Sequence, residues 1–116
     1  MTASEVLREL LAPALAGWRF QFGRWTDSGN TERYAVLRPM GGPAVGLVRK
    51  PAFSLVLIGN KADAAATPEE KAQELIALLM DETGSLAFIE PGEPVYWATD
   101  DGRPVAELAI STIMNR

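Results

Sequence analysis

The segment that decides the fold runs from Arg33 to Glu82. It reads RYAVLR at 33–38, FSLVLI at 53–58 and TPEEKAQELIALLMDE at 67–82. The first two are short runs of β-branched, aromatic and aliphatic residues, the composition of strands. The run at 53–58 is nearly all apolar, which predicts a central strand covered on both faces. Gly59-Asn60 ends it. In the third run Ala72, Leu75, Ile76, Leu79 and Met80 recur at i, i+3, i+4, i+7 and i+8. Glu70, Lys71, Gln73 and Glu74 fall mostly outside that stripe, so the spacing predicts a helix over 68–81 with one apolar face. Thr67 and Glu70 have the spacing of a capping box. Pro68 suits the first helical position, where its missing N–H costs nothing.

Towards the N-terminus, Ser4 can cap a helix whose apolar side is Val6, Leu7, Leu10, Leu11 and Leu15. Pro13 would clash with the preceding turn, so that helix should end near Ala12. Trp18, Phe20 and Phe22 alternate with Arg19 and Gln21, the pattern of a half-buried strand. Asp27-Ser28-Gly29-Asn30 is a turn by composition, and the simplest pairing of this strand with the one from Arg33 is a hairpin. Pro39-Met40-Gly41-Gly42-Pro43 interrupts, and 44–51 reads as an edge strand or an ordered loop.

Towards the C-terminus, Gly84 closes the helix and Ser85 to Glu90 is a short strand. Pro91-Gly92-Glu93-Pro94 breaks it, and Val95-Tyr96-Trp97 leads to Thr99-Asp100-Asp101-Gly102-Arg103-Pro104, a hairpin turn signal. A last strand over 105–114 alternates Val105, Glu107 and Ala109 against Ala106, Leu108 and Ile110 before becoming irregular. The expectation is one α+β domain over 1–116, a mainly antiparallel sheet of about four to six strands with two helices packed on it.

Composition narrows the chemistry. A chain of 116 residues, 47% apolar, is long enough for one domain with a real core. No apolar run approaches the ~20 residues of a membrane span. The start Met1-Thr2-Ala3-Ser4-Glu5 lacks the basic opening of a signal peptide, so the cytoplasm is the default compartment. With no cysteine and no histidine, there is no thiolate nucleophile, no serine–histidine pair and no histidine metal ligand. A non-enzyme with no cofactor and no metal is expected. The net charge of −4 disfavours sequence-specific nucleic-acid binding. Residues 1–58 carry seven Lys/Arg and four Asp/Glu, a balance of +3, and residues 59–116 carry four and eleven, a balance of −7. A subunit with one basic and one acidic region can attract a copy of itself head to tail. The residues suggested for such contacts are Arg19, Arg24, Arg49 and Lys50 on one side and Glu69, Glu70, Asp81 and Glu82 on the other.

Each remaining candidate has a plainer reading. Asp100-Asp101 could bind Mg²⁺ only with further converging carboxylates, whereas Asp-Asp-Gly is a ready turn. Gly41 to Gly46 lacks the spacing, the Lys-Ser/Thr end and the following helix of a phosphate loop. Ser54, Ser85 and Ser111 would need an activating base, and no Ser-x-x-Lys occurs. Trp18, Trp25 and Trp97 with Arg19, Arg24 and Arg38 could stack bases. They suit a core first and a protein interface second.

The order of elements resembles that of the tail terminator proteins, also called tail completion or minor tail proteins, of long-tailed bacteriophages. Three pieces carry the resemblance: 33–39 with its following glycines; the strand 53–58 leading through Gly59-Asn60-Lys61-Ala62-Asp63 to the helix; and Asp101-Gly102-Arg103-Pro104 before the last strand. The resemblance implies a structural protein of the virion tail, made in the host cytoplasm. It further implies a ring, commonly a hexamer, at the head–tail junction that ends polymerisation of the tail tube and offers a surface for head joining. Its partners would be itself, the tail tube protein and a head-completion or connector protein. The alternatives are a head–tail connector, a tube-related virion protein or a small prophage-encoded accessory enzyme or regulator.

Overall fold

The computed structural model describes residues 3–23, 32–41, 44–45, 48–49, 51–80 and 88–115. Helix α1 spans Ala3–Leu11, and a 3-10 turn continues over Ala12–Leu15. The switch falls where Pro13 forbids another α-helical hydrogen bond. Strands β1 (Arg19–Phe22), β2 (Tyr34–Gly41), β3 (Ala44–Val45), β4 (Val48–Arg49) and β5 (Ala52–Ile58) follow. Helix α2 covers Ala66–Met80, and then come β6 (Phe88–Pro91), β7 (Val95–Ala98) and β8 (Pro104–Asn115). The architecture is the expected α+β, mostly antiparallel.

Strand β8 is the hub. β5 pairs antiparallel along it from Ala52↔Ser111 to Ile58↔Val105. β4 continues the same register with Arg49↔Met114, so β4 and β5 share one side of β8. The other side takes β7, from Val95↔Glu107 to Ala98↔Pro104, and β6, from Phe88↔Ile113 to Pro91↔Ile110. Between β6 and β7 the chain carries one extra residue against β8, a bulge at Gly92–Pro94, where the Gly92 N–H donates to the Ala109 carbonyl at 2.7 Å. β2 flanks β5 on its far side, and β1 is the outermost strand beyond β2.

The principal core lies between one sheet face and the helices. Ala35, Leu37, Phe53, Leu55, Leu57, Ala106, Leu108 and Ile110 meet Val6, Leu7, Leu11 and Leu15 from the N-terminal helical segment and Ala72, Leu75 and Leu79 from α2. Cross-strand register puts the sheet residues on one face. The opposite face holds a smaller buried cluster: Tyr34, Val36, Val56, Ile58 and Val105. β5 is thus covered on both faces, as its apolar run requires.

Four expectations are corrected. β1 and β2 are not a hairpin: they pair parallel, Arg19↔Tyr34 to Phe22↔Leu37. The segment 23–33 is long enough to carry the chain back along a four-residue strand, and the parallel register sets Phe20 and Phe22 beside Ala35 and Leu37 on the core side. On the α2 stripe Met80 is 72% exposed, at the last residue of the described helix and one position past the buried Leu79. The helix begins at Ala66, so Thr67 and Pro68 sit inside its first turn, and the Thr67 N–H donates to the Ala64 carbonyl at 3.1 Å. Finally, β8 stays regular to Asn115 because β4 and β6 give its far end partners on both sides. The expected turn at 27–30 and the start of the strand expected over 85–90 lie outside the described residues.

Candidate functional site

The three pieces of sequence that carry the resemblance meet at one end of the sheet. β5 stops at Gly59, whose N–H donates to the Pro104 carbonyl at 2.8 Å. A Cβ on Gly59 would stand 2.9 Å from Pro104 Cγ and 3.2 Å from an Asp63 carboxylate oxygen, so only glycine fits the approach. The next residues fold into a tight loop. Asn60 Oδ1 accepts from the Ala62 N–H at 3.0 Å, and the Asp63 carboxylate accepts from the Asn60 N–H at 2.9 Å. That carboxylate also takes a two-pronged contact from Arg33, with Nε and Nη2 each at 2.8 Å. Hydrogen bonding from Arg33 holds Asp63 below the usual carboxylate range, against an opposing effect of burial, and the same contact raises Arg33. The Arg33 guanidinium also lies 5.8 Å from the Trp18 ring centre.

Arg103 enters from the β7–β8 turn and is fully buried. Its Nε donates to the Gly59 carbonyl at 3.0 Å and its Nη2 to the Glu32 carbonyl at 2.9 Å, with Cζ 5.3 Å from the Tyr34 ring centre. The turn beneath it is set by Gly102 at φ +87° and by the Thr99 N–H donating to the Arg103 carbonyl at 2.9 Å. Asp101 accepts from the Thr99 hydroxyl, and both acids are exposed. This is turn chemistry, and among the described residues no group of three or more acids, histidines or cysteines gathers to hold a metal ion. The whole cluster is a polar clamp that fastens β2, the loop after β5 and the start of β8 together.

Two hollows flank the sheet. One, of about 320 Å³, opens on the face away from the helices, lined by Gly23, Val36, Arg38, Val56, Ile58, Trp97 and Glu107. Ser54 donates to the Glu107 carboxylate beside it at 2.9 Å. With no histidine in the chain, this pair lacks the usual proton relay of a serine nucleophile, and it ties β5 to β8 across the sheet. The other hollow, of about 340 Å³, lies between the start of β1 and α2 and is lined by Ala16, Trp18, Arg33, Thr67, Glu70, Lys71 and Glu74. Lys71 bridges it, donating to the Ala14 carbonyl at 2.9 Å and to Glu74 at 2.5 Å.

The third feature is an edge. Every residue of β7 is exposed, with Val95 at 61%, Tyr96 at 43% and Trp97 at 47%. Tyr96 accepts a hydrogen bond from Gln73 of α2 at 3.3 Å, which joins the strand to the outer flank of that helix.

Of the suggested contact residues, Arg19 lies exposed on β1 with its guanidinium 3.3 Å from Glu32. Glu69 and Glu70 lie on the first turns of α2, Glu69 half-buried and Glu70 exposed. Arg49 is placed on β4 by its backbone, and Arg24, Lys50, Asp81 and Glu82 lie outside the described residues. Sequence reasoning missed the inward turn of Arg103, which looks like an ordinary turn residue beside Gly102. It also missed that 95–98 forms an exposed edge strand paired, among the described residues, only with β8.

No helix among the described residues is long and apolar enough to cross a membrane. No match was found among curated proteins. The family model described as phage tail termination protein matches residues 1–116, the full length over which the clamp, the sheet and the exposed edge are built, and the chain belongs to that family.

Proposed function

We propose that this protein forms a ring at the head-proximal end of the phage tail tube, ends tube polymerisation there and offers the surface to which the head joins. The family is one of structural assembly proteins of the phage tail. The observation that carries the finer reading is the match of the tail-termination family model over residues 1–116. The geometry supports it: the best-formed polar cluster is a structural clamp, and the exposed apolar surface is a strand edge suited to protein contact.

Contacts between subunits pair the basic set Arg19, Arg24, Arg49 and Lys50 with the acidic set Glu69, Glu70, Asp81 and Glu82 of a neighbour. Exposed pairs contribute only ~0.2–1 kcal/mol each, so charge sets orientation while apolar burial holds the ring. Deleting the gene should yield over-long tails lacking heads, measured by electron microscopy of lysates. Restoring it should return tails to uniform length, whereas a variant with Arg49 and Lys50 both changed to Glu should fold yet fail to do so. Tails of normal length in the deletion would refute the terminator role.

A further inference from the structure

We infer that β7 is the docking strand for β1 of a second copy of this chain, so that the sheet continues from subunit to subunit. The inference rests on the ring-forming reading above and assigns its contact surface.

The sheet has three edges among the described residues: β1 on one side, β6 with β7 on the other, and β3 beyond β4, which at two residues is too short to template an added strand. Most edges are guarded by charges, prolines or bulges that stop a foreign strand from adding. β1 carries Arg19, and β6 carries Glu90 and Pro91 and ends in the Gly92–Pro94 bulge. β7 has none of these guards. Its four residues, Val95-Tyr96-Trp97-Ala98, are uncharged and exposed, and the three large ones point alternately to both faces. Such a strand left bare is an association site.

Two observations select a second copy as the occupant. The first is direction. β2 and β8 both run antiparallel to β5, β1 runs parallel to β2, and β7 runs antiparallel to β8. β1 and β7 therefore point in opposite senses within one subunit. Copies related by rotation about an axis along the strands keep those senses, so β7 of one meets β1 of the next in the favourable antiparallel sense. The two edges differ, so the contact is heterologous, the kind from which a ring is built when the rotation between neighbours closes. The second is charge. Exposed Glu90, Glu93, Asp100 and Asp101 frame β7, whereas exposed Arg8 and Arg19 stand at the β1 side, Arg19 beside Glu32 at 3.3 Å and Arg8 with its Cζ 6.0 Å from the Phe20 ring centre. Phe22, 48% exposed at the end of β1, supplies apolar surface for Tyr96. Both side chains project to the helix-bearing face, since Phe22 is in register with Leu37 and Tyr96 with Ala106.

Cysteine cross-linking in assembled tails tests this, and the chain has no cysteine of its own. Two double variants, Phe20→Cys/Tyr96→Cys and Phe22→Cys/Tyr96→Cys, cover the two registers in which a β1 residue on that face can oppose Tyr96. Within one subunit the edges are four strand spacings apart, about 19 Å, far beyond the ~7 Å that a disulfide spans. Oxidation of tails carrying at least one of these variants should give a ladder of covalent multimers that no single variant gives. Monomers alone from both variants in tails of normal length would overturn the inference, as would dimers from Tyr96→Cys alone. A second variant, Val95→Lys/Ala98→Lys, charges the edge directly. It should melt within a few degrees of wild type yet leave tails over-long, and normal tails from it would also overturn the inference. Over-long tails in the gene deletion with normal capping by the edge variants would refute only this interface; normal tails in the deletion would refute the terminator role itself.

Discussion

At the scale of single residues, the clamp at the end of the sheet carries the sharpest expectations. Asp63 is held below its usual range chiefly by Arg33, so its folded value lies under its unfolded one. Its stabilisation is complete above the unfolded value of about 4 and is lost as pH falls through the folded value. Arg33 is shifted upward, so its share persists until strong alkali. Asp63→Asn should therefore lower the melting temperature at pH 7, and the gap from wild type should shrink as pH falls below about 4 and through the lowered folded value. An equal gap at both ends would mean the carboxylate's charge is irrelevant. Arg103→Ala should destabilise by ~2–5 kcal/mol, since it opens a cavity and strips the Gly59 and Glu32 carbonyls of a buried donor. Chemical denaturation with wild type as reference measures it. In the sequence Arg33, Asp63 and Arg103 were visible as members of suggestive pieces but not as one cluster. They come from distant positions, and only the stop of β5 at Gly59 brings them together.

At the scale of elements, the helix with the regular apolar stripe and the all-apolar strand were legible because burial and periodicity are the same fact seen twice. Leu75 and Leu79 are buried under α2, whereas Met80 on the same predicted stripe is open to solvent. Leu75→Ala or Leu79→Ala should cost ~2–5 kcal/mol in thermal or urea unfolding. Met80→Ala should stay within ~0.5 kcal/mol, as for most surface changes. A large effect at Met80 in the monomer would mean that the helix end is covered. The parallel pairing of β1 with β2 was not legible, because alternation tells which face a residue takes and says nothing about strand direction. The bare edge at β7 was hidden for a similar reason: an uncharged run reads alike whether it lies inside a sheet or beside nothing.

At the scale of the whole molecule, the charge split between the two halves of the sequence has a partial counterpart in space. Arg8 and Arg19 stand at the β1 side, while Glu90, Glu93, Asp100 and Asp101 gather round β7. The sheet joins these sides through β8, which follows in the chain every strand it pairs with. That order bears on synthesis. A nascent chain cannot complete its sheet before residues 104–115 have left the ribosome, and until then Leu55 and Leu57 lack their neighbours Leu108 and Ala106. Sheet closure waits on contacts distant in sequence, which slows folding and leaves apolar strands exposed meanwhile. A ribosome-stalled chain ending at Arg103 should be as protease-sensitive as an unstructured one. With β8 extruded, resistance should appear in a single step, and that late gating would keep half-made subunits out of tail assembly.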